Sequence, residues 1–112
     1  MVAGKRADMV IQYADFKIPI ELKRDYHKDV WTAALTQLER LYTRDPYSAG
    51  YGIYAVFWFG EKRAPHTIPK APNANFQPMS AKSMEEMLNA AVPTDKKNHI
   101  YVIVIDVSGE IP

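Results

Sequence analysis

The chain contains no cysteine, which excludes disulfides, thiolate metal sites and cysteine nucleophiles. Any metal must sit on oxygen or imidazole, and a reducing cytoplasm is the compartment expected. No apolar run approaches the roughly 20 residues of a membrane-spanning helix; residues 53–59 come nearest, and the N-terminus has no apolar signal region. A membrane partner is therefore not expected. Net charge is also scarce: 14 Lys and Arg against 13 Asp and Glu leave +1, so overall electrostatics do not point to a nucleic acid. Basic residues are denser before position 70, with pairs at Lys5-Arg6, Lys23-Arg24 and Lys62-Arg63, but a solvated surface explains them as readily as a phosphate-binding face. A Gly-rich phosphate loop, a Ser-His-Asp set, His-rich zinc spacing and internal repeats are all missing.

What is there suffices for one hydrophobic core: 112 residues, 47% hydrophobic and 12% aromatic, read as a single domain over 1–112. Residues 7–13 and 17–23 are rich in Ile, Val and aromatics and form a predicted β-hairpin turning at Ala14-Asp15. Pro19 in the second strand predicts a bulge. Trp31, Ala34, Leu35, Leu38, Leu41 and Tyr42 recur at helical spacing over 29–42, with Asp29 as N-cap and Asp45-Pro46 as stop. Residues 51–59 and 100–105 are apolar on both faces, as expected of central strands covered by helices on either side. Four prolines make 61–79 an extended loop. Ser83 and Glu86 read as a capping box for a short helix whose Met84, Met87, Leu88 and Ala91 face the core, and Pro93 ends it. The fold class is α/β: an antiparallel hairpin plus near-parallel strands joined by helical crossovers, flanked by helices. Trp31, Trp58, Tyr51 and Tyr54 are assigned to the core, and the methionines to gaps within it.

If the hairpin turns at Ala14-Asp15, opposed residue numbers sum to a constant and Asp8 falls opposite Glu21. Directly opposed residues have Cβ atoms roughly 5 Å apart, a spacing at which two carboxylates invite a divalent cation. Lys23 shares the Glu21 face of its strand by alternation, so the three groups are expected on one solvent-accessible patch. Oxygen ligands suit Mg²⁺ or Mn²⁺, and such a site fits a phosphodiester. The ammonium of Lys23 would orient the attacking water or stabilise developing charge. A surface salt bridge on a sheet is the plainer account of the same residues.

Gly4-Lys-Arg-Ala-Asp8-Met-Val-Ile, followed by Ile18-Pro-Ile-Glu21-Leu-Lys23, resembles the core of the PD-(D/E)XK (restriction-endonuclease-like) nuclease superfamily. In that superfamily an Asp starts one strand and an apolar-Glu-apolar-Lys tract occupies the next. Gln37-Leu-Glu-Arg-Leu-Tyr42 is similar to the Gln-to-Tyr motif of its RecB-like exonucleases, with an interval one residue longer, and no proline precedes Asp8. The resemblance spans residues 4–106 and implies a restriction-endonuclease-like mixed sheet. It implies a Mg²⁺- or Mn²⁺-dependent nuclease acting on nucleic acid, DNA first, with Asp8, Glu21, Lys23 and Gln37 catalytic and Asp8, Glu21 and Leu22 holding the metal. RNA as substrate stays open, and so does a catalytically idle DNA-binding or assembly module. His27 is a candidate phosphate contact or an exposed residue before the helix, and Arg44 and Asp45 line either a DNA groove or a solvated turn. The N-terminal helix usual in the superfamily has no counterpart before Asp8. A fragment of a longer polypeptide or a homodimer covering Met9, Ile11 and Tyr13 is therefore expected.

Overall fold

Residues 8–34, 36, 51–60, 67–72, 77–96 and 99–109 are described, by a computed structural model. They form a mixed α/β arrangement: β1 (Met9–Tyr13), β2 (Phe16–Arg24), β3 (Gly52–Trp58), α1 (Ala81–Ala91), a 3₁₀ turn at Thr94–Lys96 and β4 (Ile100–Asp106). The sheet is open, in the order β1-β2-β3-β4. β1 runs antiparallel to β2, and β2, β3 and β4 are mutually parallel. A two-residue turn at Ala14-Asp15 sets the hairpin register, and Ala14 takes a positive φ of 51° to make it. Met9 pairs with Ile20 and Tyr13 with Phe16, which is the register the turn position predicts.

Pro19 does not bulge the strand; it pairs regularly with Val10. The Leu22 N–H points towards β1, so alternation directs the Pro19 nitrogen towards β3, whose ladder begins only at Ile20–Ile53. The missing donor removes no bond there.

Alternation and register place Glu21, Lys23, Tyr54, Val56, Trp58, Ile100 and Val102 on one face of the sheet. Met84 and Leu88 of α1 pack on this face, with Val30, Trp31, Ala33 and Ala34 from the chain after β2 and Ile68 from the following loop. Burial of side chains such as Met84 and Leu88 is worth roughly 1.5–3 kcal/mol each. The Trp31 indole N–H donates to the Pro69 carbonyl at 2.8 Å, fastening the loop to the core. Of the helix expected over 29–42 only the first turn is described, with Thr32 and Ala33 N–H donating to the Asp29 carbonyl; Leu38, Leu41, Tyr42 and the stop at Asp45-Pro46 lie outside the described residues.

The opposite face differs from expectation. It carries Met9, Ile11, Tyr13, Ile53, Phe57 and Tyr101, and among the described residues no helix packs on it. Tyr13 is 79% exposed and Tyr101 64%. Two methionines also depart from their assignment, since Met9 and Met79 are exposed while Met84 is buried. Tyr51 is exposed and packs its ring on His99 at 5.1 Å, whereas Tyr54 and both tryptophans are core. The cap of α1 is Ser80, whose hydroxyl accepts from the Ser83 N–H, and not Ser83 itself. Helical geometry starts at Ala81, three residues sooner than the capping-box pattern suggests, because Ser80 already supplies the acceptor that a first turn needs.

The two sheet edges are finished differently. On β4, Glu85 of α1 reaches over and accepts from the Val104 N–H at 2.8 Å. β1 is uncharged and exposed along its whole length.

Candidate active site

Glu21 and Lys23 sit two residues apart on β2, so the pleat turns both towards the helix-covered face. Their side chains meet, Lys23 Nζ to Glu21 Oε1 at 3.6 Å, with Lys23 13% and Glu21 0% exposed. The expected solvent-accessible patch is corrected on this point: the Glu21 carboxylate is wholly buried. The reason is the neighbouring strand, where Tyr54 lies beside Glu21 in register and its hydroxyl donates to the Val30 carbonyl, drawing the chain after β2 across this end of the sheet. Burial pushes the Tyr54 phenol well above its ordinary range, and the negative charges of Glu21 and Asp29 push it further.

Asp8 stands just before β1, where the register would place it opposite Glu21. Its Oδ2 accepts from the Leu22 N–H at 2.8 Å, so the carboxylate continues the hairpin ladder one step beyond Met9–Ile20. Asp8 is exposed. Asp8, Leu22 and Lys23 line an open cavity of about 390 Å³ with Arg24, His27 and Phe57. Glu21, wholly buried behind Lys23, does not reach its wall. Gln37 lies outside the described residues, as do Arg44 and Asp45.

Could these residues hold a divalent cation? The donors have the right chemistry: two carboxylates, plus the main-chain carbonyl that is all Leu22 can offer, are hard oxygen ligands. Asp8 keeps Oδ1 outside the Leu22 bond, and a dehydrated carboxylate such as Glu21 gains from a cation beside it. Among the described residues no group of three or more His, Asp or Glu is placed to hold a metal. Water and substrate oxygens must complete the shell, as is usual for Mg²⁺.

Two residues that the sequence did not single out shape this end of the sheet. Asp25 follows β2 and is 0% exposed. Its Oδ2 accepts from the N–H groups of Phe59 and Gly60 at 2.8 and 3.0 Å, and its own N–H donates to the Phe57 carbonyl at 3.0 Å. Phe57 itself pairs with Arg24 across the parallel ladder, a neighbour relation that no local sequence signal could have supplied. No family model, curated protein or solved structure matches the chain.

Proposed function

We propose that this chain is a metal-dependent nuclease domain of the restriction-endonuclease-like kind, hydrolysing phosphodiester bonds of DNA. The observation that carries the proposal is the convergence of the Glu21–Lys23 contact with an Asp8 carboxylate held against the main chain of Leu22, the residue between them. A plain surface salt bridge explains this poorly, because Glu21 is buried and an ionised carboxylate leaves water at considerable expense in free energy. Asp8 and Glu21, with the Leu22 carbonyl, are the residues that would hold Mg²⁺ or Mn²⁺; when bound, the ion supplies charge neutralisation at the phosphate and acidifies a water. Lys23 holds a positive charge beside Glu21 and at the cavity wall, where it can orient a water or a phosphate oxygen. The order of strands, an antiparallel pair followed by parallel strands, is compatible with the fold implied by the motif.

The experiment is cleavage of labelled single- and double-stranded DNA with Mg²⁺, Mn²⁺ or chelator. Activity that needs the metal and disappears in Glu21→Gln and Lys23→Ala, with melting curves retained, is the expected result; cleavage persisting in excess chelator would sink the mechanism. An idle module would bind DNA without cutting it in every condition.

The partner proposed besides DNA is a second copy of this chain, seated on the uncovered sheet face around Met9, Ile11 and Tyr13. The exposed parts of these residues with Phe16, Tyr101 and Ile105 amount to on the order of 700 Å², close to the ~800 Å² each partner contributes to a standard interface. No charged side chain lies on β1 to oppose self-association.

A further inference from the structure

We propose that the cavity beside Asp8 is a mononucleotide subsite, taking one nucleotide of the DNA strand with its base on Leu22 and Phe57 and its phosphate on Arg24 and His27. This rests on the nuclease reading for the identity of the strand, and on the cavity alone for the chemistry of the subsite. At about 390 Å³ the space falls within the ~300–1,000 Å³ of small-molecule sites. Its residues divide by the geometry of the sheet. Leu22 and Phe57 belong to the apolar face opposite α1, and Arg24 lies beside Phe57 in register, so an apolar floor has a guanidinium at its end. That guanidinium stands 6.0 Å above the Tyr26 ring, which in turn packs on Phe59 at 5.9 Å; the ring contact orients the planar fork without consuming its hydrogen-bond donors.

His27 is fixed in a different way. Its Nδ1 accepts from the Asp29 N–H at 3.0 Å, which requires a lone pair on Nδ1 and leaves the ring hydrogen on Nε2. With Nδ1 engaged by the main chain, the Nε2–H is the ring's donor at the cavity. Lys23 also lines the wall, with its ammonium 3.6 Å from the Glu21 carboxylate. With Lys23 beside Glu21, the donors that the cavity offers an anion are the Arg24 guanidinium and the His27 ring N–H. An aromatic floor beside anion donors fits a nucleotide better than either inorganic phosphate or a bare base, since stacking on an aromatic side chain tolerates any base.

The test uses the full chain in chelator, followed by amide chemical shifts, with thymidine, thymidine 5′-monophosphate, inorganic phosphate and a short single-stranded oligonucleotide as probes. The monophosphate is expected to bind at least tenfold more tightly than either thymidine or phosphate, with shifts centred on Leu22, Arg24, His27 and Phe57. Arg24→Gln and His27→Asn should each bring the monophosphate down towards the nucleoside. Phe57→Leu keeps an apolar floor, and so the fold, while removing the ring, and should weaken nucleoside and monophosphate together by about tenfold. Phosphate binding as tightly as the monophosphate, or the absence of shifts at these four residues, overturns the subsite. So does an oligonucleotide whose binding ignores all three variants, because the cavity would then lie off the strand. If DNA is cleaved with Mg²⁺ while these variants bind and cut normally, the subsite falls and the nuclease proposal stands. If the monophosphate binds as described but no DNA is cut under any metal, the subsite stands and the nuclease proposal falls.

Discussion

Replacing Asp25 with alanine should be among the most destabilising single changes on the polar side of this molecule. The carboxylate joins the end of β2 to the chain leaving β3 through two hydrogen bonds from Phe59 and Gly60. Bonds to a charged acceptor contribute roughly 1.5–3 kcal/mol each, giving about 3–6 kcal/mol before correction. Two effects reduce this. Both N–H groups are only part-buried, so water can reach them in the variant, and Asp25 Oδ1 is itself buried without a hydrogen-bond partner among the described residues, so removing the carboxylate also relieves a desolvated group. A loss of about 3 kcal/mol remains, a fall in Tm on the order of 12 °C for a domain of this size. Asp25→Asn retains one acceptor oxygen without the charge and should lose about half as much. Urea and thermal unfolding followed by circular dichroism and tryptophan fluorescence measure both. If alanine costs less than about 1 kcal/mol, or asparagine costs as much as alanine, the two bonds are not what holds this corner.

Asp8 has two separable roles, as acceptor for Leu22 and as a charge at the site. Asp8→Asn should therefore retain the hairpin and abolish metal-dependent cleavage, whereas Asp8→Ala should in addition loosen the amide of Leu22, read as faster hydrogen exchange; equal activity of Asp8→Asn and the native chain would remove Asp8 from the chemistry. Tyr54 predicts the alkaline limb of stability: its phenol is raised in the folded chain, by desolvation first and then by Glu21 and Asp29. Its contribution is intact below the ordinary phenol value of about 10 and declines above it, as the unfolded chain releases a proton that the folded chain keeps. Absorbance at 295 nm should show Tyr54 ionising only with unfolding, and Tyr54→Phe should flatten the pH dependence. Self-association through the uncovered face should raise the sedimentation coefficient with concentration and be abolished by Tyr13→Lys; a monomer at every concentration refutes it.

The hairpin register was legible from sequence because an antiparallel pair joined by two residues has one free choice, the position of the turn, and Ala14-Asp15 is where both apolar runs stop. Alternation then tells which residues share a face, which brings Glu21 and Lys23 together. It does not tell which face the helices choose. That choice depends on packing between distant segments, here Met84 and Leu88 against Tyr54 and Val102, and it turned an expected surface carboxylate into a buried one. The pairing of Arg24 with Phe57 was hidden for a related reason: parallel neighbours are joined by long crossovers, and no turn fixes their register. Ser83, with Glu86 three residues on, carries the fuller capping pattern, but only the chain's actual direction decides which hydroxyl reaches an exposed amide, and that is Ser80.

The unequal edges of the sheet constrain how it can be extended. A strand from elsewhere can add where main-chain groups face outward, and β1 offers them along its length, while Glu85 already occupies the Val104 amide on β4. Two copies that joined at β1 would produce an eight-stranded sheet with Glu85 over the Val104 amide at either end. On β4 the Glu85 carboxylate thus guards the edge at Val104, and Glu85→Ala should leave that amide open to a strand from another chain.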